Sequence, residues 1–181
     1  MSNSLPGLLS AAWDRLSAAP TDRTAPYRTL SLATSDSEGW PDTRTVVLRA
    51  ADPDAAILQI QTDSASAKCN ALASDPRCAL LFWDPGSQVQ LRCRARATLR
   101  PGTTEEWAAL AQPQTLAYGG MPPPGMPIDR PEHHTRLGNP DRLTLITCTV
   151  EQIDLVQLDP DRHRRALYTR KTNWQGQWIA P

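Results

Sequence analysis

The stretch Arg77–Leu99, R-C-A-L-L-F-W-D-P-G-S-Q-V-Q-L-R-C-R-A-R-A-T-L, decides the fold. Arg77–Trp83 is a short, almost wholly apolar run that predicts a strand. Asp84-Pro85-Gly86-Ser87 is turn chemistry. From Gln88 to Leu99 the chain alternates. Val89, Leu91, Cys93, Ala95 and Ala97 face one way, and Gln90, Arg92, Arg94, Arg96 and Thr98 the other. A period of two with one apolar face is a half-buried strand with a wet, cationic outer side. Strand, turn and strand in this order predict an antiparallel pair.

The same pattern extends in both directions. Upstream, Thr29–Thr34 alternates, Ser35–Asp42 carries turn residues including Gly39 and Pro41, and Thr43–Arg49 is β-branched and extended, so the three segments predict a hairpin. A further strand is expected at Ala56–Gln61. Thr62-Asp63-Ser64-Ala65-Ser66 then offers several N-caps for a short helix over Ala65–Ala73, which Asp75-Pro76 ends. Nearer the N-terminus, Leu5, Leu8, Leu9, Ala12, Trp13 and Leu16 recur at three- and four-residue steps, the stripe of an amphipathic helix over 5–19. Downstream, Thr103-Thr104-Glu105-Glu106 caps a second short helix, about 103–112. Residues 113–141, with Gly119-Gly120 and Pro122-Pro123-Pro124-Gly125, are a long irregular segment of the kind that usually carries function. Strands are expected at Leu143–Val150 and Ile153–Leu158, and a last pair at Ala166–Arg170 and Trp174–Ile179. About eight strands in hairpin order predict a mainly β barrel or sandwich with small helices attached.

Composition limits the function. The 181 residues suit one domain, 1–181, with an N-terminal helix within 1–20. The longest apolar run, Cys78–Trp83, is far short of the about 20 residues that cross a bilayer as a helix. Lys+Arg and Asp+Glu both number 19, so nothing in the net charge favours nucleic acid or an acidic membrane surface. The start, Met1-Ser2-Asn3-Ser4-Leu5-Pro6, has no basic region or long apolar core, so a cytoplasmic location is expected. Cys69, Cys78, Cys93 and Cys148 form no C-x-x-C pair and are expected to be free thiols. His133, His134 and His163 lack a Cys or carboxylate at ligand spacing, and no metal site is expected. All but two of the cations are arginines, the exceptions being Lys68 and Lys171.

One constellation stands out. Arg44, Arg49, Thr62, Ser66, Lys68 and Gln88 lie on three consecutive strand-end segments. Thr62, Ser66 and Lys68 bracket the start of the expected helix, where unpaired backbone N–H groups favour an anion. Hydroxyls and an ammonium at that point suit a phosphate monoester, and Arg44 on the neighbouring strand completes a clamp. Arg44 and Arg49 are about 16 Å apart along an extended strand and on opposite faces. A ligand serving both lies along the strand, or the strand is bulged. A long flat molecule with a phosphate tail fits that spacing better than a small ion.

At this point the sequence resembles the pyridoxamine 5′-phosphate oxidase-like family of split barrels that bind flavin mononucleotide (FMN). Arg44-Thr45-Val46-Val47-Leu48-Arg49 is similar to the family's R-x-V-L-L-[KR] strand. Gln61-Thr62-Asp63-Ser64-Ala65-Ser66-Ala67-Lys68 is similar to its turn into a helix. Asp75–Trp83 followed by Gln88-Val89-Gln90-Leu91 resembles its N-P-R … Q-V-R pair, and Arg165–Arg170 … Trp174 … Ile179-Ala180-Pro181 its ending. The resemblance implies an antiparallel Greek-key split β-barrel and a homodimer with FMN at the interface. It implies that Arg44 and Lys68 hold the phosphate with Thr62 and Ser66 assisting, and that Thr45, Val46, Val47, Leu48 and Gln61 belong to the cofactor site. Gln88 would hydrogen-bond the flavin, Arg49 would face the reactive ring, and Arg165 would arrive from the partner subunit. Six tryptophans and the Gly/Pro-rich segment are also more apolar equipment than a small monomeric barrel needs.

The chain departs from the family pattern at defined places. Ala67 replaces an arginine of the phosphate turn, Ala111 stands where the oxidases carry a substrate-gripping arginine, Leu155 or Val156 replaces a tryptophan, and Asp161 replaces the arginine of an Arg-x-His motif that His163 otherwise matches. The expectation is an FMN-dependent oxidoreductase of unknown substrate. A flavin carrier or sensor without turnover and the genuine oxidase are the alternatives.

Overall fold

The alternation of Gln88–Leu99 is realised in β5 (Val89–Pro101), where Val89, Leu91, Cys93, Ala95 and Ala97 are buried and Arg92, Arg94 and Arg96 are exposed. The computed structural model describes residues 4–181, and Met1–Asn3 of the N-terminal segment lie outside the described residues. The other strands among the described residues are β1 (Thr29–Ser35), β2 (Pro41–Asp52), β3 (Ile57–Asp63), β4 (Arg77–Asp84), β6 (Leu143–Gln157), β7 (Arg164–Thr169) and β8 (Gly176–Trp178). All pairings are antiparallel. The order β3-β2-β1-β4-β5-β6 closes on itself because β6 also pairs with β3, and β7 and β8 continue outward from β6. The fold is mainly β: a six-stranded antiparallel barrel with an extension, the split-barrel class expected.

Closure needs unusually long strands. β6 has 15 residues and β5 has 13, against about 5–6 in an average strand. The first half of β6 seals the barrel against β3, and its second half carries β7. Between the halves the β5–β6 register skips Glu151, because Arg94 faces Gln152 while Ala95 faces Val150. Such a bulge bends the strand and lets its two halves serve different neighbours. The two strands expected at Leu143–Val150 and Ile153–Leu158 are therefore one. The polar Glu151-Gln152 pair imitates a turn, yet both flanks bond to the same partner strand.

Helices close the barrel. α1 (Leu5–Ala18) is capped by Ser4, whose Oγ accepts from the Gly7 amide at 3.2 Å, and it buries Leu8, Ala12, Trp13 and Leu16. α2 (Ala67–Ser74) packs on β1 and β5. The helix expected over 103–112 ends early: α3 (Thr104–Ala108) has the capping box of Thr103 and Glu106, and α4 (Gln112–Thr115) is separate. Pro113 explains the break, since a proline has no N–H to continue the preceding helix and is tolerated in the first turn of a new one. None of the described helices is long and apolar enough to cross a membrane. All four cysteines are free and buried.

The barrel core is aliphatic around one aromatic contact. Phe82, the only phenylalanine, is fully buried with its ring 5.4 Å from that of Tyr27. Phe82→Ala removes that ring from a close-packed interior and is expected to cost about 3–5 kcal/mol. Urea unfolding checks this through a lower midpoint at an unchanged slope.

Candidate functional site

Two surfaces of one barrel wall carry the expected residues. At the barrel end beneath α2 lies a polar cluster facing inward. Arg44 shares the face of Val46 and Leu48 on β2. Its Nη1 donates to the Leu32 carbonyl at 3.1 Å and to the Thr34 hydroxyl at 2.9 Å, and its Nη2 pairs with Asp42. Lys68, in the first turn of α2, donates from Nζ to Thr62 Oγ1 at 2.9 Å, and Thr62 Oγ1 lies 3.2 Å from Ser66 Oγ. Thr62 and Ser66 are both buried. Ser66 occupies the N-cap position but makes no side-chain cap, its hydroxyl being turned towards Thr62 and Cys69 instead. The helix start thus keeps unpaired amide donors beside an ammonium and a guanidinium.

The electrostatics of this cluster favour an anion. Burial pushes the Lys68 ammonium below the ordinary lysine value, and the nearby Arg44 cation adds to the depression. The unfolded chain therefore binds more protons than the folded one between the depressed value and the ordinary one, so this group makes the protein more stable as pH rises through that window. An anion placed between the two cations reverses the effect, holding Lys68 charged.

On the opposite, outer side of the same strands are Thr45, Val47 and Arg49 of β2 and Gln61 of β3. The β2–β3 register skips at Arg49, between Leu48 opposite Ile60 and Ala50 opposite Gln59. The bulge leaves Arg49 on the outer face, so it does not bring Arg49 round to Arg44. A ligand touching both runs along the strand. Arg49 Nε and Gln61 Oε1 are buried and have no hydrogen-bond partner. Buried polar atoms are nearly always paired. A donor and an acceptor left open on adjacent strands match a planar ring that carries both N–H and C=O groups. An isoalloxazine on the outer face with its phosphate at the α2 start fits these residues. The arrangement offers charge and hydrogen bonds but no evident acid–base pair, which suits a cofactor that supplies its own redox chemistry.

The sequence reading missed Asp63. It stands inside the turn between Thr62 and Ser66, where the sequence offers it only as one of several N-caps. Its Oδ1 accepts from the Ala65 amide at 2.8 Å and from Arg142 Nε and Nη2 at 3.0 and 2.7 Å, and its Oδ2 accepts from the Gly119 amide at 2.6 Å. This buried carboxylate clasps the 113–141 segment to the end of β3. The only local signal was an Asx-turn, Asp63 with the amide two residues on. Burial alone raises the Asp63 carboxyl, but the Gly119 and Ala65 amides and the Arg142 guanidinium outweigh it and hold it below the ordinary carboxylate value. The segment itself is less irregular than expected, containing α4, a bridge between Met121 and Thr135, and two 3-10 turns.

Gln88 and Arg165 stand apart from these residues within one chain. Gln88 is an exposed turn residue with φ +51°, and its carbonyl accepts from the Leu158 amide at 3.0 Å. Arg165 grips Asp154 with both prongs, at 3.0 and 2.8 Å, and Asp154 also pairs with Arg92. Arg165 pairs with Val156 on β6, whereas Asp63 pairs with Leu143. That separation is about 43 Å of strand path at 3.3 Å per residue. A cavity beside Arg165 is lined by Arg162, His163, Arg164, Trp178 and Ile179.

Asp63 gives this geometry a test. Its depressed carboxyl contributes stability that is present above the ordinary value near 3.8 and is lost as pH falls through the folded-state value. Asp63→Ala leaves Arg142 and the Gly119 amide without their acceptor. It is expected to cost about 3–5 kcal/mol at pH 7. The gap from the unsubstituted protein should shrink as unfolding is repeated at progressively lower pH.

Comparison with known proteins bears on the family and the fold. The family model described as the pyridoxamine 5′-phosphate oxidase, FMN-binding domain matches residues 10–101. Two curated relatives carry the name pyridoxine/pyridoxamine 5′-phosphate oxidase. The protein from Nitrobacter hamburgensis is 35% identical over 95 residues, 51% of this chain and 42% of that one. That from Anaeromyxobacter dehalogenans is 32% identical over 102 residues, 56% and 48% of the two chains. The matched stretch thus spans about half the length of these relatives. Among solved structures, a pyridoxamine 5′-phosphate oxidase-related, FMN binding protein from Nostoc punctiforme superposes with a TM-score of 0.77 at 24% identity, covering 100% of both chains. PhzG from Burkholderia lata, solved with tetrahydrophenazine-1-carboxylic acid, gives 0.73 at 20% identity over 97% of this chain and 92% of that one. At those identities the two structures speak for the fold alone. The family match covers just over half of the chain, from α1 to the end of β5, and the protein belongs to the pyridoxamine 5′-phosphate oxidase FMN-binding domain family.

Proposed function

We propose that this protein is a single-domain, cytoplasmic, FMN-dependent oxidoreductase working as a homodimer, on a substrate other than pyridoxamine 5′-phosphate. The observation that carries the proposal is the joint presence of two unlike features on β2 and β3. A polar cluster of Arg44, Lys68, Thr62 and Ser66 lies at one end, and the unpartnered Arg49 Nε and Gln61 Oε1 lie on the outer face. Arg44 and Lys68 hold the phosphate, Thr62 and Ser66 orient it, and the β2 backbone at Val46–Leu48 with Thr45 lines the ring. When bound, FMN supplies the electron-transfer chemistry. Arg49 contributes a fixed positive charge beside the ring, which favours its reduced, anionic form. Ala111 and Asp161 argue against pyridoxamine 5′-phosphate, because a phosphate dianion deprived of a charged grip loses about 1.5–3 kcal/mol per missing bond.

The dimer belongs to the same reading. Gln88 and Arg165 are engaged elsewhere in the same chain, by Leu158 and Asp154, and in this reading they reach the site of Arg44 and Lys68 from a second copy. The outer face of β4 offers an apolar surface for that contact, since Leu81 and Trp83 are 39% and 42% exposed on a central strand. Isolated exposed apolar residues are ordinary, but large ones side by side on a sheet face suit an interface.

The first test is colour. The purified protein should carry yellow FMN, and Arg44→Ala or Lys68→Ala alone should weaken its binding by about ten- to a hundredfold. The double variant should fold but be colourless. Stoichiometric FMN in that variant would overturn the phosphate site. A second test is assembly: Trp83→Arg should shift the sedimenting species from dimer towards monomer and lower FMN content with it, whereas an unchanged dimer would move the interface elsewhere.

A further inference from the structure

We propose that Cys69 is a positioning residue for the phosphate end of this site, its sulfur holding the Ser66 hydroxyl off the α2 cap so that the first-turn amide of Lys68 stays open to the ligand. The inference rests on the FMN reading above and extends it to a cysteine to which that reading gives no part.

Hydrogen bonds run in one direction through the polar cluster. Lys68 Nζ donates to Thr62 Oγ1 at 2.9 Å, and Thr62 Oγ1 lies 3.2 Å from Ser66 Oγ. Ser66 Oγ donates to Cys69 Sγ at 3.5 Å, and Cys69 Sγ donates to the Asp63 carbonyl at 3.5 Å. The one Ser66 hydroxyl proton is spent on the sulfur, so the bond between the two hydroxyls takes its proton from Thr62. The chain ends on a backbone carbonyl in the turn that leads into α2, which anchors its far side. Thr62, Ser66 and Cys69 are all buried.

This arrangement takes the place of an ordinary helix cap. A serine at the N-cap accepts from the amide two or three residues on. Here those amides belong to Lys68 and Cys69. The Cys69 amide donates instead to the Ser66 carbonyl at 2.9 Å, and Ser66 makes no side-chain cap. Cys69 stands three residues after the N-cap, where a Glu or Gln would complete a capping box. A thiol at that position draws the hydroxyl away from the backbone. Sulfur is a weak acceptor, so it restrains the hydroxyl and releases it at small cost. A charged phosphate oxygen forms the stronger bond and takes both the Ser66 proton and the Lys68 amide. Without the sulfur, the hydroxyl is free to turn back onto the Lys68 amide, and the ligand then has to displace a cap. Cys69 thus acts through Ser66, without a bond of its own to the ligand.

FMN titration, followed by quenching of flavin fluorescence, reads this out without turnover. Cys69→Ala should raise the FMN dissociation constant by about two- to tenfold, the worth of one serine cap. In a Ser66→Ala background the same substitution should leave the affinity unchanged, because no hydroxyl remains to swing back. Cys69→Ser, which restores an acceptor at that position, should recover most of the affinity. The phosphorus resonance of bound FMN should move in Cys69→Ala and return in Cys69→Ser. A cysteine that only fills space would lower the affinity equally in both Ser66 backgrounds. That outcome, an FMN affinity unchanged in Cys69→Ala, or a Cys69→Ser variant no tighter than Cys69→Ala would overturn the inference while leaving the FMN reading intact. Failure of the unsubstituted protein to take up FMN would overturn both.

Discussion

Pairing of β3 with β6, from Ile57 opposite Thr149 to Asp63 opposite Leu143, is the constraint on which the remaining architecture depends. It converts an open sheet into a barrel, and in doing so it fixes which residues surround the end of β3. Asp63 is the last residue of that ladder, so its carboxylate is brought beside Arg142 at the start of β6 and beside the Gly119 amide. A shift of one residue in this register would turn Ile60 and Ile146 out of the core and carry Thr62 to the outer face. The polar cluster and the barrel core are thus set by a single alignment.

The same barrel wall serves two chemistries because a strand has two faces. Inward at its end, Arg44, Lys68, Thr62 and Ser66 gather positive charge and hydroxyls under α2. Outward, Arg49 and Gln61 keep an open donor and acceptor. Holding two cations close together and leaving buried polar atoms unpaired both count against the folded state. Features of that kind persist where a ligand relieves them, and a phosphate joined to a flat polar ring relieves both at once.

Arg165 and Gln88 illustrate the opposite situation. Each is well accommodated where it stands, Arg165 by Asp154 and Gln88 in a turn that bonds to Leu158. Nothing at those positions calls for a ligand from within one chain. Their assignment depends on the resemblance and on a second copy approaching, which is why the barrel wall of a single chain accounts for only part of the proposed site.

Much of this was legible in the residues themselves. The alternation of β5, the hairpin of β1 and β2, the stripe of α1 and the order of the strands are local patterns, and local patterns survive into structure when one face must be buried and the other wetted. The cluster around Lys68 was legible for the same reason, since Thr62, Ser66 and Lys68 are close in sequence and need only a helix start to converge. Other features were not local. The continuity of β6 through Glu151 was hidden because a bulge and a turn share polar residues, and only the partner strand distinguishes them. The role of Asp63 depended on Gly119 and Arg142, more than fifty residues away in the chain. Short-range periodicity and turn chemistry established the strands and the anion-seeking helix start. Long-range pairing, whose partners no short window contains, decided which side chains meet and which buried atoms are left open.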